Sequence, residues 1–269
     1  MNMKSAVLRK VIAVSMAAAM VTGTALCAPV ISDFAGTSIT VSAAETYGDF
    51  EYTVADDNTV TVTKYKGTSA KVTVPEKINS KTVTAIGDSA FNKNTGITGV
   101  TLPKTLKTIK KYAFAGCSNL ASINIPGTVE TIGEYAFSNC SKMTSFSYPV
   151  NLKSAGSYIF YNTPVKTVTI PETVTAIPSY TFNHANMLEK VVLPDTITKI
   201  GEYAFYDCPK LTSINLPDTV ETIERSALAK CGLTSINFPK RIKTVGFYVF
   251  ENTPIKSIKN LQNEQPIHS

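Results

Sequence analysis

The chain has 269 residues, 43% of them hydrophobic and 17% charged, which is ample for one large domain or a repeat array and excludes disorder over its bulk. Its net charge of +6 is mild for its length and does not imply a nucleic-acid partner.

The first ten residues carry Lys4, Arg9 and Lys10, and Val11 to Leu26 then runs without a charge, so residues 1–43 are expected to be a secretory signal peptide. Two ends compete, Ala25-Leu26-Cys27 and Val41-Ser42-Ala43, and the second fits better because small residues occupy both positions that a signal peptidase reads. Lipidation at Cys27 would want a small residue before it and an aliphatic one three before it, where the chain has Leu26 and Thr24. Cleavage after Ala43 removes three of 26 basic and one of 20 acidic residues, leaving 23 against 19 and a charge of +4. No later stretch approaches the ~20 apolar residues of a membrane span. A secreted or cell-surface product with no span after cleavage is expected.

Residues 44–74 contain Phe50-Glu51-Tyr52-Thr53-Val54 and Thr59-Val60-Thr61-Val62-Thr63 flanking Asp56-Asp57-Asn58, the pattern of a β-hairpin.

From residue 75 one register aligns the chain with itself. Prolines fall at 75, 103, 126, 149, 171, 194, 217 and 239, phenylalanines at 91, 114, 137, 160, 182, 205 and 250 with Leu228 completing the series, and a third column runs Ile86, Ile109, Ile132, Ala155, Ile177, Ile200, Ile223 and Val245. Three columns locked to one period predict about eight coils of 22–23 residues between 75 and 260. In the best-formed unit, Ile214-Asn215-Leu216 alternates as a strand does, Pro217 ends it, and Gly201-Glu202-Tyr203-Ala204-Phe205 suits a short helical turn that drops Ala204 and Phe205 inward. Such a coil cannot bury its apolar stripe alone, so each must cover the next. Residues 261–269 read as a polar tail.

The pattern L-x-S-I-x-L-P-x-T-V-x-x-I-G-x-Y-A-F-x-x-C resembles the BspA-type leucine-rich repeats of bacterial secreted and surface proteins over about residues 47–260. The resemblance implies a leucine-rich-repeat right-handed superhelix: a repeat solenoid, β-rich with short helical turns, with a parallel β-sheet along one side. It also implies an N-terminal cap in the hairpin at 44–74, and partners among host or matrix molecules.

Catalysis needs local chemistry at non-repeating positions, and the sequence offers little. Its two histidines are His268, in the tail, and His184, which shares a slot with Gly116, Asn139, Asn162, Asp207, Lys230 and Asn252 and is expected to face solvent. No enzyme activity, cofactor or metal site is expected. Cys117, Cys140, Cys208 and Cys231 share one slot and stack in two pairs; free buried thiols are favoured, with disulfides as the alternative because the spacing would allow them. Leu193-Pro194-Asp195-Thr196 and Leu216-Pro217-Asp218-Thr219 imitate the start of a sortase signal, but no Gly follows either.

Two surfaces are candidates for recognition by an extracellular protein or polysaccharide. One is the tyrosine series Tyr112, Tyr135, Tyr158, Tyr180, Tyr203 and Tyr248, two residues before the repeat aromatic and broken by Ser226; it is either a binding strip or a stack that shields the core. The other is the outward row of the sheet, Thr101, Ser122, Asn124, Ser145, Ser147, Thr167, Thr169, Lys190, Val192, Ser213, Asn215, Ser235, Asn237, Ser257 and Lys259, which either hydrogen-bonds a ligand or only solubilises an open sheet. Basic residues crowd two places, Lys104 to Lys111 and Lys240 to Lys243, where acidic glycans could meet them. The product is expected to be a monomer.

Overall fold

The computed structural model describes residues 44–259. The signal-peptide reading, Cys27, His268 and the tail lie outside the described residues.

Strand β1 (Glu45–Tyr47) pairs antiparallel with β2 (Phe50–Val54), and β2 pairs antiparallel with β3 (Val60–Tyr65). The β2–β3 turn is closed by Asp57, whose Oδ1 accepts from both the backbone N–H and the hydroxyl of Thr59. Strand β3 then runs parallel to Lys81–Ile86, so the hairpin feeds directly into the repeat stack. The first proline step, 75 to 103, is five residues longer than its neighbour because Lys77–Ile78 and Lys81–Ile86 form an extra antiparallel hairpin turned through Asn79 and Ser80, both left-handed.

From there the chain is a β-solenoid with two parallel ladders rather than a single sheet. One joins the strands that precede the prolines: Lys71–Thr73, Gly99–Thr101 and Ser122–Asn124, then Thr167–Thr169 with Lys190–Val192, then Ser235–Asn237 with Ser257–Lys259. The other joins the Thr-Ile pairs that follow them, from Lys81–Ile86 through Thr108–Ile109 and Thr131–Ile132 to Ser154–Ala155, and again from Ala176–Ile177 through Lys199–Ile200 and Thr222–Ile223 to Thr244–Val245. In the coil around Ile214 the apolar residues point inward as expected, but the segment forms no ladder strand.

The second ladder breaks at Pro178. In other coils this position sends its N–H to the preceding coil, as Gly156 does to Ile132 (2.8 Å) and Gly201 to Ile177 (2.9 Å). Proline has no N–H to send to Ala155.

The expected helical turn is absent; the described residues contain no helix. Around each phenylalanine the backbone instead alternates its donors. The N–H groups of Tyr112, Phe114 and Gly116 reach the next coil, at the carbonyls of Glu134 (2.9 Å), Ala136 (2.9 Å) and Ser138 (2.8 Å). Those of Ala113, Ala115 and Cys117 close turns within their own coil, at Lys110 (3.3 Å), Tyr112 (3.1 Å) and Phe114 (3.2 Å). A helix would keep every bond local; this arrangement satisfies the buried backbone while binding coil to coil.

The interior is a set of continuous columns. Phe91, Phe114, Phe137, Phe160, Phe182 and Phe205 are each at most 1% exposed and stack at centroid distances from 4.9 to 6.1 Å, with Tyr65 of β3 starting the series 5.4 Å from Phe91. Each such ring contributes roughly 1.5–3 kcal/mol from burial. The P-x-T step is held by the threonine hydroxyl, which donates to the preceding coil: Thr105 to Val83 O, Thr128 to Leu106 O, Thr196 to Val174 O and Thr219 to Ile197 O, all at 2.7–2.8 Å. The two sortase-like tetrapeptides are therefore structural.

Candidate functional site: the tyrosine side of the solenoid

Each tyrosine of the series begins the turn that carries the buried phenylalanine, and each has a left-handed backbone, with φ from 52° at Tyr203 to 60° at Tyr158. Ser226, which interrupts the series, is left-handed too (φ 51°). From Tyr112 to Tyr203 this conformation throws the ring sideways off the turn, half-buried, to stack with its counterpart in the neighbouring coil, whereas Tyr248 is 44% exposed. Centroids lie 4.8 Å apart for Tyr112–Tyr135, 4.3 Å for Tyr135–Tyr158, 4.3 Å for Tyr158–Tyr180 and 5.0 Å for Tyr180–Tyr203, with planes within 21° of parallel. Stacked aromatic pairs contribute about 0.5–1.5 kcal/mol beyond their area. Where Ser226 leaves a gap, Arg225 fills it, its guanidinium carbon 5.9 Å from the Tyr203 ring and 6.0 Å from Tyr248. At the other end Lys111 sits 5.2 Å above Tyr112.

The faces of the inner rings are thus taken up by one another, and the ladder offers edges and hydroxyls. Those hydroxyls interact in file: burial first, and then the neighbouring Tyr158, push the Tyr135 phenol up to about 12, while Tyr158 and Tyr180 are raised chiefly by burial.

A second row flanks the ladder, and it escaped the sequence reading. The residue after each phenylalanine is Tyr161, Asn183 and Tyr206 in three successive coils, but Ala115, Ser138 and Ala229 in others. Tyr161 meets Tyr158 edge-on at 6.0 Å, and Tyr206 meets Tyr203 at 5.2 Å. His184 stands between them, 5.7 Å from each ring and nearly perpendicular to both, and its Nδ1 lies 2.7 Å from Asp207 Oδ2 in the next coil. Its side chain is 42% exposed, so it borders solvent as expected, but as a wall of a groove. Tyr135, Tyr158, Tyr161, Tyr180, Asn183, His184, Tyr203 and Tyr206 together line an open groove of about 510 Å³. The sequence signal was the slot of Tyr161 and Tyr206, which only those two coils fill with an aromatic.

The sheet row is exposed as its alternation predicted, from Ser122 and Asn124 through Thr167, Thr169, Lys190, Ser213 and Asn215 to Ser235 and Asn237, and Ser145 and Ser147 are exposed beside it. It is a flat polar strip. The two basic clusters are largely answered by acids one coil away: Lys107 lies 3.5 Å from Glu130, Lys111 2.6 Å from Glu134, Lys240 2.6 Å from Asp218 and Lys243 2.8 Å from Glu221.

The four cysteines of the described residues, Cys117, Cys140, Cys208 and Cys231, are free and buried. Each thiol donates to the carbonyl of the phenylalanine, 26 residues earlier, of the coil below, at 3.0 Å for Cys117–Phe91 and 3.1–3.2 Å for the others. Burial pushes the Cys117 thiol up to about 12 and raises Cys140 and Cys208 as well. These thiols are structural donors.

Parallel ladders, buried aromatic columns and a 22–23-residue coil define a leucine-rich-repeat solenoid. Residues 69–189 and 175–269 match the model of the BspA type leucine rich repeat region, in six copies, and the chain belongs to that family. Among solved structures, it is similar to a leucine-rich-repeat protein from Bacteroides ovatus at 29% identity, covering 83% of this chain and 67% of that one with a TM-score of 0.71. It is also similar to a leucine rich cell surface protein from Faecalibacterium prausnitzii at 28% identity, covering 80% of this chain and 54% of that one with a TM-score of 0.61. The chain thus spans about half the length of the latter. A leucine rich repeat protein of T. pallidum shares the fold, at 23% identity and a TM-score of 0.54. No curated protein matches.

Proposed function

We propose that this chain is a secreted or cell-surface interaction module that binds an extracellular protein or polysaccharide through its tyrosine side. The observation that carries the reading is the coincidence, on one side of the rod, of a tyrosine ladder four coil-steps long with a groove lined by eight aromatic or polar side chains. Tyrosine is enriched where surfaces bind, because it offers apolar area and a hydrogen bond with little side-chain entropy to lose. The family membership and the cell-surface relative support an extracellular setting. Among the described residues no helix is long and apolar enough to cross a membrane.

Among the described residues, His184 and Asp207 are a pair without a nucleophile in hydrogen-bonding contact, which gives catalysis little to work with. The test is to probe matrix-protein and glycan arrays with the protein and with the Tyr135→Ser, Tyr158→Ser, Tyr203→Ser triple variant. Serine is the natural occupant of the slot at Ser226, so the backbone accepts it. Binding that the triple variant loses supports the module; binding that it retains, or none at all, points to a surface spacer.

A further inference from the structure

We infer that the groove between Tyr161 and Tyr206 is a discrete site for one uncharged sugar ring of a glycan, an inference that rests on the tyrosine side being the interaction surface.

The groove exists because of one residue. Tyr161 and Tyr206 occupy the same slot two coils apart, and the coil between them has Asn183 there. A tyrosine at 183 would make the row continuous; with the shorter asparagine there, the groove opens beside the tyrosine ladder, and His184 stands between its aromatic ends. Asn183 is 4% exposed, so it lies at the bottom. Its backbone is fully used, with N–H to Tyr180 O at 3.2 Å and the carbonyl accepting from Asn162 N at 2.9 Å. Its side-chain carboxamide borders the groove. Facing the groove, a carboxamide can both donate to and accept from a ligand group that offers an acceptor and a donor.

A sugar hydroxyl does both. His184 adds a second polar contact: Nδ1 is held by Asp207, which leaves Nε2 for a ligand. Stacking is available at Tyr161, whose neighbours Tyr158 and His184 meet it at 63° and 87° and leave it without a parallel partner, unlike the ladder rings. The apolar C–H face of a pyranose suits that ring.

Charge decides against ionic ligands. The lining contains no lysine, arginine, aspartate or glutamate. The nearby cations already lie over ring faces, Lys230 4.9 Å from Tyr206 and Arg225 5.9 Å from Tyr203, where they oppose a cationic ligand. Of the acids outside the lining, Asp207 is engaged by His184, while Glu202 and Glu134 act on the ladder tyrosines Tyr158, Tyr180 and Tyr135 and would repel an anionic ligand. The volume of about 510 Å³ falls within the range of small-ligand sites, roughly 300–1,000 Å³. Ala115, Ser138 and Ala229 occupy the slot in other coils, so this tyrosine-asparagine-tyrosine arrangement occurs once along the rod.

The test is saturation-transfer NMR on the protein with methyl glucoside, methyl galactoside, methyl mannoside and N-acetylglucosamine, with tetramethylammonium and N-acetylneuraminic acid as charged comparators. Transfer to at least one neutral sugar is expected. It should weaken by about tenfold or more in Asn183→Tyr, which closes the gap, and in Tyr161→Ala, a half-exposed position that guards against misfolding at 183. Glu76→Gln, near the N-terminal hairpin, should bind as the parent does, and thermal melts confirm folding. Transfer to no neutral sugar, transfer to the charged probes alone, or equal binding by Asn183→Tyr would overturn the inference. If the arrays still show binding that the triple tyrosine variant loses, only the sugar site fails; if the arrays are silent as well, the interaction reading fails with it.

Discussion

The thiol of Cys140 donates to the carbonyl oxygen of Phe114, 3.2 Å away in the neighbouring coil, and Thr163 makes the same bond to Phe137 one coil further on, at 2.8 Å through its hydroxyl. Cysteine and threonine are thus interchangeable here as small donors at a buried seam. Cys140→Thr should be close to neutral, and Cys140→Val should be less stable than Cys140→Thr by about 1 kcal/mol, the net value of one hydrogen bond. Urea unfolding of the two variants measures the difference. Because burial keeps Cys117, Cys140 and Cys208 protonated, none of these three should react with iodoacetamide in the native state at neutral pH.

The tyrosine ladder should make the fold sensitive to alkali. Tyr135 is held neutral up to about 12 in the folded chain, whereas an unfolded tyrosine ionises near 10. The folded state therefore binds the proton more tightly. The stability this contributes is complete below pH ~10 and is lost as pH rises toward about 12. Melting temperature should fall across that window, and less steeply in Tyr135→Phe, which keeps the stack but cannot ionise.

Gly156 lies where two coils approach closely. A Cβ there would stand 2.4 Å from Glu134 N and 2.7 Å from Gly133 C, both backbone atoms that cannot swing aside. Gly156→Ala should cost roughly 1–3 kcal/mol, as overpacking does, measurable as a lower urea midpoint.

The break at Pro178 should be visible in amide exchange. Lys153 and Ser154 both donate to Glu130, and Glu221 and Thr222 both donate to Thr198, whereas Thr175 and Ala176 donate to no carbonyl of the preceding coil. Hydrogen exchange at Thr175 and Ala176 should be faster than at those four counterparts. Equal protection would mean that the ladder is continuous there.

What the sequence made legible follows from period. The Phe and Ile columns, the inward strand residues and the stacking of Tyr112 through Tyr203 all recur every 22–23 residues, and recurrence in a stack means contact. The turn around Phe205 was misread as helical because Ala204 and Phe205 do point inward together. The distinguishing fact, alternate N–H groups reaching the next coil, is non-local and leaves no spacing signature. Asparagine, glycine and aspartate recur two residues after the phenylalanine because that position is left-handed in every coil. The groove was hidden for the opposite reason: it depends on Asn183 departing from the pattern, and a reading built on repetition passes over the exception.

We propose that recognition uses the tyrosine side and not the sheet. It is tested most directly by measuring affinity for the strongest array hit with two variants side by side: Tyr135, Tyr158 and Tyr203 changed to serine, and Ser122, Asn124, Ser213 and Asn215 changed to alanine. The first variant should lose binding by about tenfold or more while the second retains it. Loss confined to the sheet variant would contradict it.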